Sequence, residues 1–393
     1  MNTLNTRPPL RFRADGTFTV MQISDVQDCD GITPRTIALL EAALDQEKPD
    51  FIIFTGDQVK GYGMPLWFGT AEQKCKKIEK TLETLLSLLD RRGIPFTFTF
   101  GNHDHDAPMS GAEQIRIYHR HALCCAEDNP DVPGYANHTV EVLGSKDDAP
   151  ALNFYLLDSH DSNGFGYKPL DPAQIEWYRR TRDDLIAKNG GKVVPSFLFQ
   201  HIPVEEIIQL YKKVNRGTEG ALEGFRTHKG SFYVLDDKKT AKGSFMGELP
   251  SAPDVNMGLF AAARERGDMV GMFFGHDHNN GFHGNVQGID LGYAPSAGFT
   301  AYGPGRRRGV RVFRFKEDDI ADYQTYVRTD EQLLSADAKL PWNVVLHDFT
   351  PSSFGAAKPL VMRSVRTVAV TTLAIVVLSV VFGHQKKRRA TDN

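Results

Sequence analysis

Cysteine is scarce in this chain. Its 393 residues include four, at Cys29, Cys75, Cys124 and Cys125, none in a C-x-x-C pair, and a vicinal pair is hard to bridge within itself. That excludes a disulfide-stapled scaffold and a thiolate metal site, and is compatible with a reducing compartment. Net charge is nearly absent too. The 46 Lys and Arg against 49 Asp and Glu leave −3, so no basic field draws the chain to nucleic acid, no nucleic-acid partner is expected, and any anion must be held locally. The first ten residues hold two prolines and no apolar run, so no secretory signal peptide is expected. Hydrophobic residues at 41% and charged residues at 24% are ordinary for a globular protein, which excludes wholesale disorder and a polytopic membrane protein.

One long apolar run stands apart. Residues 367–383 are uncharged, largely β-branched, and followed by Lys386, Lys387, Arg388 and Arg389. As a helix at about 1.5 Å per residue the run spans roughly 25 Å, slightly short of a ~30 Å hydrocarbon core. It is expected to be a single-pass membrane anchor, with a buried terminal helix as the alternative and the side of the membrane left open. The expected order is an N-terminal extension (1–17), one catalytic domain (18–340), a Pro- and Ser-rich linker (341–366), the membrane segment (367–383) and a basic tail (384–393).

Within the domain, apolar runs alternate with amphipathic stretches in the βαβ manner, which predicts an α/β fold. Strands are expected at 18–24, 51–55, 95–100, 152–157, 193–199 and 269–274. A helix is expected over 34–47, with Thr33 as N-cap and Pro34 at the first helical position. Thr70 to Gln73 forms a capping box ahead of a helix whose apolar positions Cys75, Ile78, Leu82, Leu85 and Leu89 recur at helical spacing. A further helix is expected over 175–186. Alternating runs at 309–315 and 322–327 are expected to be antiparallel strands completing a second sheet.

Five polar clusters each close one of these strands: Asp25-Val26-Gln27-Asp28, Gly56-Asp57-Gln58, Gly101-Asn102-His103-Asp104, Gln200-His201 and Gly275-His276-Asp277-His278. Singly they are ordinary, since Gly-Asp is a common turn and a histidine after a strand is more often a satisfied core residue than a ligand. Together they are not, because ligands of α/β sheets gather outside the carboxyl ends of strands. Carboxylates, imidazoles and an amide oxygen without thiolate suit Mn, Fe or Zn in a reactive rather than a structural site.

In this order the clusters resemble the calcineurin-like metallophosphoesterases, whose pattern is D-x-H, G-D, G-N-H-D/E, H and G-H-x-H. The closer resemblance is to the purple-acid-phosphatase-like proteins of plants and the related fungal cell-cycle phosphatases. It rests on Phe199-Gln-His-Ile-Pro203, on Leu157-Asp-Ser159 followed by Gly164 to Tyr167, on Phe273 to Asn280, on Gly298 to Gly303 and on the stretch from Arg306 to Arg311. The resemblance implies a four-layer α/β/β/α sandwich with two mixed sheets, and a phosphoesterase that hydrolyses a phosphomonoester or phosphodiester with two divalent or trivalent metal ions. It implies one metal at Asp25, Asp57 and His278, with Gln27 in the position of the family histidine. The other metal is implied at Asp57, Asn102, His201 and His276, so that Asp57 bridges. His103 is implied beside the leaving-group oxygen, with Asp104 orienting its imidazole, and Asn102 and His103 facing substrate.

Gln27 is the departure, since an amide oxygen is a weaker donor than imidazole. It raises a second reading, a phosphate-binding or scaffolding pseudoenzyme. Lys60 stands where the purple enzymes carry a metal-bound tyrosine, with Tyr62 two positions on. Asp28, His105 and Asp106 are possible substitute ligands that more often are solvated loop residues. Tyr167 and Tyr302, and less so Tyr293, fall in Gly-rich loops that suit an aromatic wall for substrate. Arg306-Arg307-Arg308 is expected to be a solvated hairpin tip.

Overall fold

The computed structural model describes residues 8–164, 166–335, 339–340, 344 and 348. Two mixed sheets lie face to face. In the first, the strands Thr17–Ile23, Phe51–Thr55 and Phe96–Thr99 run parallel, and Gly309–Lys316 and Gln324–Thr329 extend it antiparallel beside Thr17–Ile23. In the second, Pro150–Leu157, Ser196–Gln200, Met269–Phe274 and Ile289–Tyr293 run parallel, flanked by antiparallel edge strands His138–Leu143 and His283–Val286.

The period of two in each strand builds three cores. Phe18, Val20, Phe51, Ile53, Phe154, Leu156, Phe197, Phe199, Phe273, Phe313 and Phe315 fill the space between the sheets. The alternate residues Met21, Ile23, Ile52, Phe54, Phe96 and Phe98 face the helices Pro34–Glu47, Ala71–Asp90 and Gly111–Tyr118. On the far side Tyr155, Leu157, Leu198, Met272 and Phe274 face the helices Pro172–Lys188 and Leu259–Ala263. The layers are therefore α/β/β/α, as expected. Strands buried on both faces explain why 51–55 reads as unbroken apolar sequence. Each buried Phe or Leu contributes roughly 1.5–3 kcal/mol, and Phe273 meets Phe313 edge to face at 4.6 Å between ring centroids.

Helix boundaries follow their caps. Thr70 Oγ1 accepts the Gln73 N–H at 3.2 Å while Gln73 Oε1 accepts the Thr70 N–H at 2.9 Å. The helix Pro34–Glu47 begins at its proline as expected, though Thr33 makes no side-chain cap.

Several expectations are corrected. Gly309–Lys316 and Gln324–Thr329 complete the first sheet, not the second. Of Arg306 to Arg308 only Arg307 is exposed, so the run is not a solvated tip as a whole: Arg308 is fully buried, and Arg306 joins Arg35 on the buried carboxylate of Asp330. The membrane anchor is corrected as well, since among the described residues no helix is long and apolar enough to cross a membrane, and 367–383 lies outside them. Val344 is buried in the helix-side core and Asp348 pairs with Arg308, so these two linker positions lie against the domain.

Candidate metal centre

The parallel strands of both sheets end at one rim, and the five clusters meet there. Leaving the strands costs backbone strain. Asp25, Gln27, Asp57 and His276 have φ of 53°, 41°, 53° and 74°, a region L-residues avoid and which concentrates at functional sites. The glycines of the motifs are contact points. A Cβ at Gly101 would lie 2.2 Å from Asp57 Oδ1, and one at Gly275 would lie 1.9 Å from Ser24 Oγ.

Asp57 sits at the middle, with 1% of its surface exposed. Its Oδ1 accepts the His103 N–H at 2.8 Å, its Oδ2 accepts from Gln27 Nε2 at 2.6 Å, and His201 Nε2 lies 3.3 Å from Oδ2. Asp25 Oδ2 accepts from Ser24 Oγ at 2.5 Å and from the His276 N–H at 3.0 Å. Its Oδ1 faces His278 Nε2 at 3.2 Å. Backbone carbonyls fix the outer nitrogen of two rings: His201 Nδ1 donates to Thr55 O at 2.9 Å and His278 Nδ1 donates to Tyr302 O at 2.7 Å. Each Nε2 is thereby turned to the cluster, the tautomer control common to metal-binding histidines. His276 Nδ1 lies 3.2 Å from His201 Nε2.

The electrostatics agree with a buried charge cluster. Burial alone would raise the Asp57 carboxyl, but His201 and His103 outweigh it and hold it well below the carboxylate range. Burial would lower His201, yet Asp57 and Asp25 push it up to about 10. Burial, reinforced by His201, drives His276 well below the ordinary imidazole range and keeps its ring neutral. Burial opposes charge on His278, and Asp25 raises it nonetheless.

Ligand atoms of Asp25, Asp57 and His278 lie within 4.8 Å of one another and can surround one cation. Asn102 Oδ1 is buried with no hydrogen-bond partner among the described residues, and the near neighbours of the buried Asp25 Oδ1 are two imidazole nitrogens, His278 Nε2 at 3.2 Å and His201 Nε2 at 4.0 Å. An orphaned acceptor is costly unless something positive meets it, so the donor set fits metal ions. His201 and His276 are within ring contact of each other at 5.0 Å.

Asp104 does not orient His103, which corrects the expectation. Its carboxylate is turned inward, accepting the N–H groups of Asp57 at 2.7 Å, Gly101 at 2.9 Å and Val59 at 3.0 Å. Burial and then the Asp57 charge push it up to about 7. The partner of His103 Nδ1 is Asp106 Oδ2 at 2.8 Å, one helical turn on in the short helix that begins at Asn102. The other substitute ligands point elsewhere. Asp28 accepts the Thr33 N–H at 2.8 Å, and His105 pairs with Asp158 at 2.9 Å.

Tyrosine rings flank three of the histidines. Tyr302 stacks on His278 at 4.2 Å and 5°, and Tyr167 meets His276 edge-on at 4.5 Å. Tyr62, not expected as a site residue, lies 4.3 Å from His103, and its hydroxyl is 3.4 Å from Gln27 Oε1. The signal was available, because Tyr62 sits between Gly61 and Gly63 as the other two sit in Gly-rich loops. Tyr293 is fully buried and donates to Asp277 at 2.7 Å, so it packs behind the centre.

This fold and rim define a class of two-sheet phosphoesterases. The chain belongs to the calcineurin-like phosphoesterase family, whose pattern matches residues 18–280. Such phosphoesterases use a dinuclear metal centre. It is similar to "Probable inactive purple acid phosphatase 14" of Arabidopsis thaliana, at 27% identity over 78% of this chain and 77% of the relative. It is also similar to "Phosphatase DCR2" of Saccharomyces cerevisiae, at 23% identity over 53% of this chain and 39% of the relative. A solved dimetal phosphatase from Danio rerio aligns over 79% of this chain and 98% of its own, with 13% identity and a TM-score of 0.47.

Proposed function

We propose that the chain hydrolyses a phosphate ester, monoester or diester, at a centre of two metal ions (Mn, Fe or Zn) held by Asp25, Asp57 and His278 on one side and Asp57, Asn102, His201 and His276 on the other. The observation that carries this reading is the buried cluster of Asp25, Asp57 and His278, whose ligand atoms lie within 4.8 Å of one another. Two metal ions sharing a carboxylate supply Lewis-acid polarisation of the phosphoryl oxygens and a water of lowered pKa. The chain does the rest. Asn102 and His103 contact the ester, and His103 passes a proton to the departing oxygen while Asp106 holds its Nδ1–H. Asp104 keeps the loops of Asp57 and Gly101 in register by its three backbone hydrogen bonds. Tyr167 and Tyr302 wall the substrate.

One observation favours the second reading, a phosphate-binding pseudoenzyme. Gln27 presents its amide N–H to Asp57 at 2.6 Å, so it competes for the bridging carboxylate where a histidine would add a ligand. The relatives named "inactive" belong with that reading. Purification without added ions, titration with Mn, Fe, Zn and Mg, and assay with an aryl phosphate and an aryl diester separate the two. Metal-dependent turnover supports the hydrolase, and metal uptake without turnover supports the pseudoenzyme. Gln27→His should then tighten the first site and raise metal occupancy at limiting supply, read by elemental analysis; unchanged occupancy would remove Gln27 from the site.

A further inference from the structure

The segment that brings Tyr62 to His103 also exposes large apolar side chains. Between the strand Phe51–Thr55 and the helix Ala71–Asp90, residues 61–69 expose Met64 by 68%, Trp67 by 68% and Phe68 by 76%, more than any other large hydrophobic side chain among the described residues. This segment is pinned rather than loose. Leu66 is buried in the helix-side core, Met64–Leu66 forms a 3-10 turn, and Lys77 Nζ donates to Pro65 O at 2.6 Å. Gly61 packs so closely on the short helix of His103 that a Cβ there would lie 2.1 Å from the His103 carbonyl oxygen. That contact delivers the Tyr62 ring to His103. Holding three large apolar groups in water within five residues of an ordered segment gains nothing for folding, and such exposed apolar side chains point to a binding surface.

The cations beside this surface each have a hydrogen-bond or ion-pair partner, Lys77 on Pro65 O among them. Lys60 Nζ, 5.1 Å from the Tyr62 ring, donates to Thr300 O at 2.8 Å, and Arg226, on the Tyr167 side, is paired with Asp254. The segment therefore offers hydrophobic area where a polyanionic leaving group would need cations.

We propose that residues 61–69 form the platform for the organic part of the substrate, with Tyr62, Met64, Trp67 and Phe68 contacting it. The ester is one whose leaving group is uncharged and apolar, such as an aromatic alcohol, and not a nucleotide or a polyphosphorylated alcohol. The inference rests on phosphoryl binding at the centre proposed above. Chain continuity carries it: Tyr62, itself 38% exposed, lies 4.3 Å from His103 and precedes Met64 by two residues in the same pinned segment.

The test uses non-hydrolysable ligands, so it does not depend on turnover. Affinities of 1-naphthylmethylphosphonate and methylphosphonate for the Mn-loaded full chain are measured by calorimetry, for the parent and for a Trp67→Ala/Phe68→Ala variant. Burial of the ring predicts a preference of about tenfold or more for the naphthyl ligand in the parent, collapsing towards equality in the variant. Single Trp67→Ser and Phe68→Ser variants serve if the double variant does not fold. Equal affinities in the parent, or a preference that survives both substitutions, overturn the platform and leave the phosphoesterase reading standing. Failure of both phosphonates to bind overturns that reading and the platform with it. A parent that sediments as a dimer while the variant is a monomer, with the naphthyl preference unchanged, assigns the surface to a second copy and also overturns the proposal.

Discussion

Replacing Asp106 by Asn leaves a polar group against His103 Nδ1 but removes a charge 2.8 Å away. An imidazole that must carry a proton loses its support, so kcat should fall by about tenfold, less than the 10²–10⁴ of removing an acid–base group itself, while metal content stays at the parent value. Asp104→Asn behaves differently. One of three buried backbone N–H groups loses its acceptor, at about 1–3 kcal/mol, and the Asp57 loop loses its brace. Urea unfolding should show lower stability, and dialysis against a mild chelator should strip metal sooner. If Asp106→Asn lost metal and Asp104→Asn lost only kcat, the roles would be reversed.

His283 gives a pH signature away from the centre. Burial and then Arg311 push its imidazole down to about 3 from 6.5. The unfolded chain therefore binds a proton between these values that the folded chain refuses. The stability at stake is fully present above pH 6.5 and is lost as pH falls below it. Parent and His283→Gln should differ in the slope of unfolding free energy between pH 6.5 and 5, the parent falling more steeply. Parallel slopes would contradict the burial argument.

At the scale of elements, the loop of Gly298 to Gly303 links two parts of the molecule. Tyr302 O holds His278, Thr300 Oγ1 contacts Gln27 O, and Arg308 donates to Gly298 O at 2.6 Å and Ala301 O at 2.8 Å. Asp348 closes this chain of contacts on Arg308. Arg308→Met strands three carbonyls, those of Gly298, Ala301 and Gly305, and a carboxylate, a loss of about 3–5 kcal/mol by analogy with broken buried pairs. It should also weaken metal retention through His278. A variant that melts early yet keeps its metal would uncouple the loop from the centre.

The elements that were legible owe it to strong local patterns: the two-sided apolar run 51–55, the Thr70 capping box and the proline that opens the helix Pro34–Glu47. The edge strands His138–Leu143 and His283–Val286 escaped notice because they are buried on one face only and lack an unbroken apolar run. The sheet that 309–315 joins was misassigned for another reason. An alternating pattern says which face is buried but not which strand lies alongside, and pairing with Thr17–Ile23 spans nearly the whole domain. Arg308 was missed since three consecutive arginines ordinarily mean solvent, and the acceptors that bury this one are backbone carbonyls, invisible in residue type.

Across the whole molecule, Asp25 and His278 are brought together because the parallel strands of two sheets end at the same rim, so motif order alone proposed the donor set. The roles of neighbouring residues were less readable. Asp104 adjoins His103 in sequence, but helix geometry gives the ring to Asp106, three positions on, and turns Asp104 inward. The most direct test of the central claim is the number of metal ions bound per chain, counted by elemental analysis of parent and Asp57→Asn purified with Mn, Fe and Zn supplied. Because Asp57 is the proposed shared ligand, the account predicts about two ions in the parent and loss of at least one, with turnover, in the variant. A parent that binds none, or an Asp57→Asn chain that keeps both ions and its turnover, would contradict it.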